Sequence, residues 1–171
     1  ERRAPAALPQ KSAILKLENF SELSELLKNR ILRYRGILPV PEFSHPRLEW
    51  IQSIPQLRSV GKAFQNCLNV SITYPVSLVL GRSLIAIYTH ESEWGSVSSS
   101  TRYVLHVTQG WEEGANVLTI LDAKEPANRE MPDGHLVEAI RDLNKNTETI
   151  WRLSEKMVMD EMLLHDWQND F

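Results

Sequence analysis

The chain has 171 residues, 42% of them apolar and 24% charged, with a net charge of −3. That length suits one ordinary domain with a sizeable core, and no apolar run approaches the roughly 18 residues of a membrane span. The single cysteine, Cys67, excludes an internal disulfide and a cysteine-based zinc centre, and it favours a reducing, intracellular setting, cytoplasmic or nuclear.

The first twelve residues, beginning "ERRAPAALPQK", hold two prolines and no apolar period, so 1–12 is expected to be a flexible arm. No signal-peptide pattern is present, and an opening Glu1 fits a processed product or a piece of a longer protein. A single domain is expected over 13–171, with "AILKL" as a short first strand. A helix follows, capped by Asn19 with Glu22 three residues on. Its apolar face is Leu23, Leu26, Leu27, Ile31 and Tyr34, and Gly36 ends it. Ser44 is placed to cap a short helix carrying Leu48, Ile51 and Ile54. Pro55 then starts another, with Leu57, Val60, Phe64 and Leu68 as its buried stripe.

From Val70 the apolar period becomes 2, which predicts strands at about 70–80, 84–90, 102–109 and 116–122 joined by short turns. Centring the turns near Ser96 and Glu113 sets Leu105 opposite both Ile87 and Ile120, and Val107 opposite both Ile85 and Leu118. One covered face then carries Ile85, Ile87, Tyr103, Leu105, Val107, Leu118 and Ile120, while His106 falls on the other face between Ala86 and Thr119. A slip of one residue would exchange the faces. Residues 135–168 read as one long helix or as two, broken near "NKNTET" at 144–149; unbroken, such a helix would run roughly 50 Å. The fold class expected is therefore α+β: a four-stranded, mostly antiparallel meander, with N-terminal helices and a long C-terminal helix packed on one face.

Motifs for chemistry are sparse. The seven glycines form no phosphate-binding pattern, and no cofactor motif is present. No two of the five histidines stand at the i, i+4 spacing of a helical metal pair; "HESE" at 90–93 is the densest candidate and reads more simply as a solvated strand end. Cys67 reads as a small buried hydrophobe. No metal site, cofactor or membrane partner is expected.

The charge is divided unevenly. Residues 1–62 hold 11 Lys/Arg against 6 Asp/Glu, whereas 63–171 hold 8 against 16. The two halves therefore attract each other or meet different partners. Five tryptophans are spread along the chain, with Trp94 and Trp111 at predicted turns and Trp151 and Trp167 on the last helix. Exposed Trp is enriched at protein interfaces. The leading expectation is a non-enzymatic interaction module, one subunit of an intracellular assembly. It would bind another subunit or a second copy through Trp151, Met157, Met159, Met162, Leu163 and Trp167 on the C-terminal helix. The alternative is a nucleic-acid-binding subunit using Arg30, Arg33 and Arg35; a third reading is an enzyme that needs no cofactor motif.

Overall fold

The computed structural model describes residues 20–94, 97–145 and 148–158. In chain order these form helix α1 (Phe20–Leu32), strand β1 (Leu48–Trp50), helix α2 (Ile54–Ala63), a 3-10 turn (Cys67–Asn69) and helix α3 (Thr73–Val79). Strands β2 (Leu84–Trp94), β3 (Val97–Glu112) and β4 (Ala115–Lys124) follow, then a second 3-10 turn (Pro126–Asn128), helix α4 (Asp133–Leu143) and strand β5 (Thr149–Leu153). The strands make one sheet in the order β1-β2-β3-β4-β5. It is antiparallel as far as β4, and β5 runs parallel to β4.

The class is α+β, but the four-stranded antiparallel meander is corrected to a five-stranded mixed sheet, and the long C-terminal helix is replaced by α4 followed by β5. Asn144 marks the change. Its Nδ2 donates to the carbonyls of Ile140 and Trp151, each at 2.9 Å, and its Oδ1 accepts from the Trp151 amide at 2.9 Å. One side chain thus closes α4 and clasps β5 to it. A parallel neighbour needs such a crossover, because no tight turn can reverse the chain twice.

Two further elements differ from expectation. The segment expected as a strand from Val70 is the helix α3, with Pro75 in its first turn. Proline lacks the amide a central strand must donate, and its fixed φ suits a helix start. The short helix expected after Ser44 is instead β1, whose Leu48, Glu49 and Trp50 pair with Tyr88, Ile87 and Ala86. Helix α2 starts as predicted: the Ser53 hydroxyl accepts from the Gln56 amide at 3.2 Å, and Pro55 lies in the first turn.

The sheet register is shifted by one residue between β2 and β3. Ala86 pairs with Leu105 and Ile87 with Val104, because the ladder runs out to Trp94↔Val97, so that 97–101, between the two expected strands, are strand as well. Between β3 and β4, Val107 pairs with Ile120 but His106 pairs with Asp122, so Leu121 is an extra residue in a bulge. The two-residue turn there has Glu113 at φ 50° and Gly114 at φ 84°, the left-handed pair that a tight hairpin requires.

As a result both faces of the sheet are covered. Leu84, Ala86, Tyr88, Tyr103, Leu105, Val107, Leu118, Ile120 and Trp151 pack under Leu136, Ala139 and Leu143 of α4. Ile85, Ile87 and Val104 point the other way, against Ile31, Leu57, Phe64, Leu68 and Leu78 from the N-terminal half. Ile85 and Ile87 therefore leave the face expected for them. Among the described residues, no helix is long and apolar enough to cross a membrane.

Candidate functional site

The face under α4 continues past the helix's cover at one end of the sheet. There Gln109 and Trp111 near the end of β3, Asn116 in β4 and Thr149 at the start of β5 take the positions that Val107, Leu118 and Trp151 occupy further in. Gln109 Nε2 donates to Asn116 Oδ1 at 2.9 Å, and Asn116 Nδ2 donates to Thr149 Oγ1 at 3.3 Å. This polar ladder crosses three strands and forms part of the lining of an open groove of about 720 Å³. Pro39, Val40 and Pro41 form one wall, with Pro41 buried and Val40 packed against the core. The two proline rings fix that wall's backbone in an extended shape. Trp111 also lines the groove and is 72% exposed. Glu42 and Glu148 also line the groove, and both are exposed. Ser83, 5% exposed, lies on the lining as well, and its hydroxyl has no hydrogen-bond partner among the described residues.

Trp151, expected on a partner-facing helix, is 2% exposed. It stacks on Trp50 with ring centres 6.0 Å apart and meets the edge of Phe43 at 5.3 Å. It belongs to the core and offers no docking surface. Met157 is partly buried against the same core. Met159, Met162, Leu163 and Trp167 lie outside the described residues, as do the arm at 1–12 and the strand at 13–17.

Arg30, Arg33 and Arg35 are all exposed, and they are brought together. With Leu26, Asn29 and Tyr34 they line a second groove of about 640 Å³ beside the end of α1. Tyr34 is partly buried against the core, and its hydroxyl donates to the Ile37 carbonyl at 3.5 Å. Arg30 also suits the last turn of α1, where a cation meets the negative end of the helix.

Three of the five histidines gather between β2 and α4. His90 stacks on His135 with ring centres 4.0 Å apart, and His135 Nδ1 meets the Tyr103 hydroxyl at 2.6 Å. His90 Nε2 lies 3.6 Å from Glu138, while its Nδ1 is buried without a hydrogen-bond partner among the described residues. Burial, and then the neighbouring His135, hold the His90 imidazole below its ordinary range; Glu138 opposes them. Next to this pair, Asp142 Oδ2 accepts from the Tyr88 hydroxyl at 3.1 Å and lies 3.6 Å from His45 and 3.5 Å from Arg47. Burial is also the main cause of the Tyr88 hydroxyl being pushed up to about 12. These contacts tie α4 to the sheet, which suits a structural role.

His106, expected between Ala86 and Thr119, pairs instead with Ile85 and Asp122. It meets the Tyr74 ring edge-on at 5.4 Å, and Cys67 Sγ lies 3.7 Å from the Tyr74 hydroxyl. Together they line a small pocket of about 190 Å³. Burial pushes His106 down and Tyr74 up, the latter to about 12, so both are neutral near pH 7. Among the described residues no three His, Cys, Asp or Glu side chains are grouped as metal ligands.

No family model matches this chain, and it matches neither a curated protein nor a solved structure.

Proposed function

We propose that this domain is a protein–protein interaction module, one subunit of a larger assembly, which docks its partner in the groove beside Trp111. The observation that carries this reading is the exposed indole on an open groove of about 720 Å³, with an amide ladder as part of its lining. An exposed Trp beside a concavity is a frequent anchor at interfaces, and side-chain amides suit the polar groups of an incoming chain. The Met- and Leu-rich sequence from Met157 onward supplies a second docking element through Met159, Met162, Leu163 and Trp167.

Affinity capture with the full chain and its Trp111→Ala variant tests the reading. The variant should lose a specific partner, or lose self-association seen by light scattering, while remaining folded. Identical capture and identical mass for the two proteins would defeat it.

A second reading has one observation in its favour: Arg30, Arg33 and Arg35 share one groove with Tyr34. Convergent arginines beside an aromatic ring suit a phosphate backbone with a stacked base. Oligonucleotide titration at two salt concentrations distinguishes the readings, since phosphate contacts give a steep salt dependence.

A further inference from the structure

The geometry points to a basic, extended segment of a partner protein as the occupant of the Trp111 groove. This inference rests on the interaction reading above and adds the chemistry of what is bound.

Three features of the groove select for a cation. The first is charge: Glu42 and Glu148 line it, and among the described residues no Lys, Arg or His does. Two charged neighbours in sequence offset each other, since Arg82 and Glu113 are both exposed and neither is part of the lining. Among the described residues Glu42 and Glu148 have no ion-pair partner, whereas Glu112, beside Trp111 at the end of β3, is held by Arg152 at 2.5 Å and 2.8 Å. The second is the indole itself. The face of Trp attracts an ammonium or guanidinium more strongly than that of Tyr or Phe, and this ring is 72% exposed. The third is the Gln109–Asn116–Thr149 ladder, which sets side-chain amides in a row across the strands. Such a row suits the repeating polar groups of an extended backbone, while the carboxylates and the indole take its Lys or Arg side chains. An acidic chain would meet two carboxylates and gain nothing from the ring. A neutral chain would use the ladder alone.

The test uses the full chain and three blocked synthetic peptides of equal length: one alternating Lys/Arg with Ala, one alternating Glu with Ala, and one alternating Ser with Ala. Fluorescence titration should show binding of the basic peptide only. Glu42→Gln with Glu148→Gln should weaken that binding roughly tenfold, and raising salt from about 50 mM to about 300 mM should weaken it further. Trp111→Ala should cost about tenfold or more. Equal binding of the neutral peptide, or no effect of the paired Glu→Gln changes, overturns the proposal. A photo-cross-linking residue at Gln109 that captures residues 1–19 of the same chain also overturns it, because the occupant would then be internal. Loss of partner capture by Trp111→Ala without any basic-peptide binding would sink the charge assignment alone. Unchanged capture by that variant would sink the interaction reading itself.

Discussion

A side chain has no room at Gly61. A Cβ added there would come within 2.3 Å of the Asn69 amide nitrogen, because the 3-10 turn at Cys67–Asn69 packs directly on α2. Backbone cannot give way as a flexible side chain does, so Gly61→Ala should destabilise the fold by about 1–3 kcal/mol, measured by denaturant unfolding. Removing the Asn144 side chain takes its hydrogen bonds away from the Trp151 amide and carbonyl, while the Ile140 carbonyl keeps the backbone amide of residue 144. Asn144→Ala should therefore cost roughly 1–3 kcal/mol by the same measurement. His90 supplies a pH dependence with a definite sign. Its folded-state affinity for a proton is lowered, so the unfolded chain takes up that proton first as pH falls. Stability from this group is complete above the ordinary histidine range, near pH 6.5, and is lost as pH drops through it. Unfolding midpoints followed between about pH 7 and pH 5 should fall, and His90→Asn should flatten part of that fall. His106, also lowered by burial, adds a drop of the same sign.

At the scale of elements, α2, β2, β3 and β4 were legible in the sequence because each has strong periodicity and a recognisable boundary, such as Ser53-Ile54-Pro55 or Glu113-Gly114. The faces were not. Counting from a turn centred at Ser96 put Ile85 and Leu105 on one side, yet pairing across Trp94↔Val97 puts them on opposite sides. Alternation in a strand records two faces without saying which is which, and a single residue of loop length decides it. Strand β5 was hidden for another reason: Trp151 fits a helical stripe about as well as a strand, and the Asn144 hydrogen bonds that end α4 are tertiary. The Trp111 groove is half visible in the sequence, where an indole stands at a predicted turn. The ladder of Gln109, Asn116 and Thr149 appears only once the register is known. In the correct register Leu105→Ala and Ile120→Ala remain core deletions, each fully buried and expected to cost about 2–5 kcal/mol. Thr108→Ala and Thr119→Ala should cost much less, and a denaturant melt that reversed this order would contradict the pairing.

Over the whole molecule, the sheet divides the chain into two layers. One contains α1, α2 and α3; the other contains α4 and the connector through Pro41 and Phe43. The basic first half and the acidic remainder thus lie largely in one folded unit, and ion pairs such as Arg47 with Glu91 and Asp142 join them. That accounts for part of the charge asymmetry without an external polyanion. Binding to single- and double-stranded oligonucleotides near physiological salt should then be weak and insensitive to sequence. Tight binding lost together in Arg30→Ala and Arg33→Ala would favour the nucleic-acid reading instead. Ending the chain after Ser154 keeps every strand of the sheet. The shortened protein should stay folded and lose association measured by light scattering; if it unfolds, the residues beyond belong to the core.

The stacked pair of Trp50 and Trp151 joins the first strand region to the last. Strands β2, β3 and β4 follow one another closely in sequence and pair through local contacts, whereas β5 needs the α4 crossover before it can dock. Local contacts form early in folding and distant ones late. The two indoles should therefore couple only in the final step of refolding. Their exciton signal in circular dichroism would lag the overall strand signal, providing a built-in clock for the closing of the sheet.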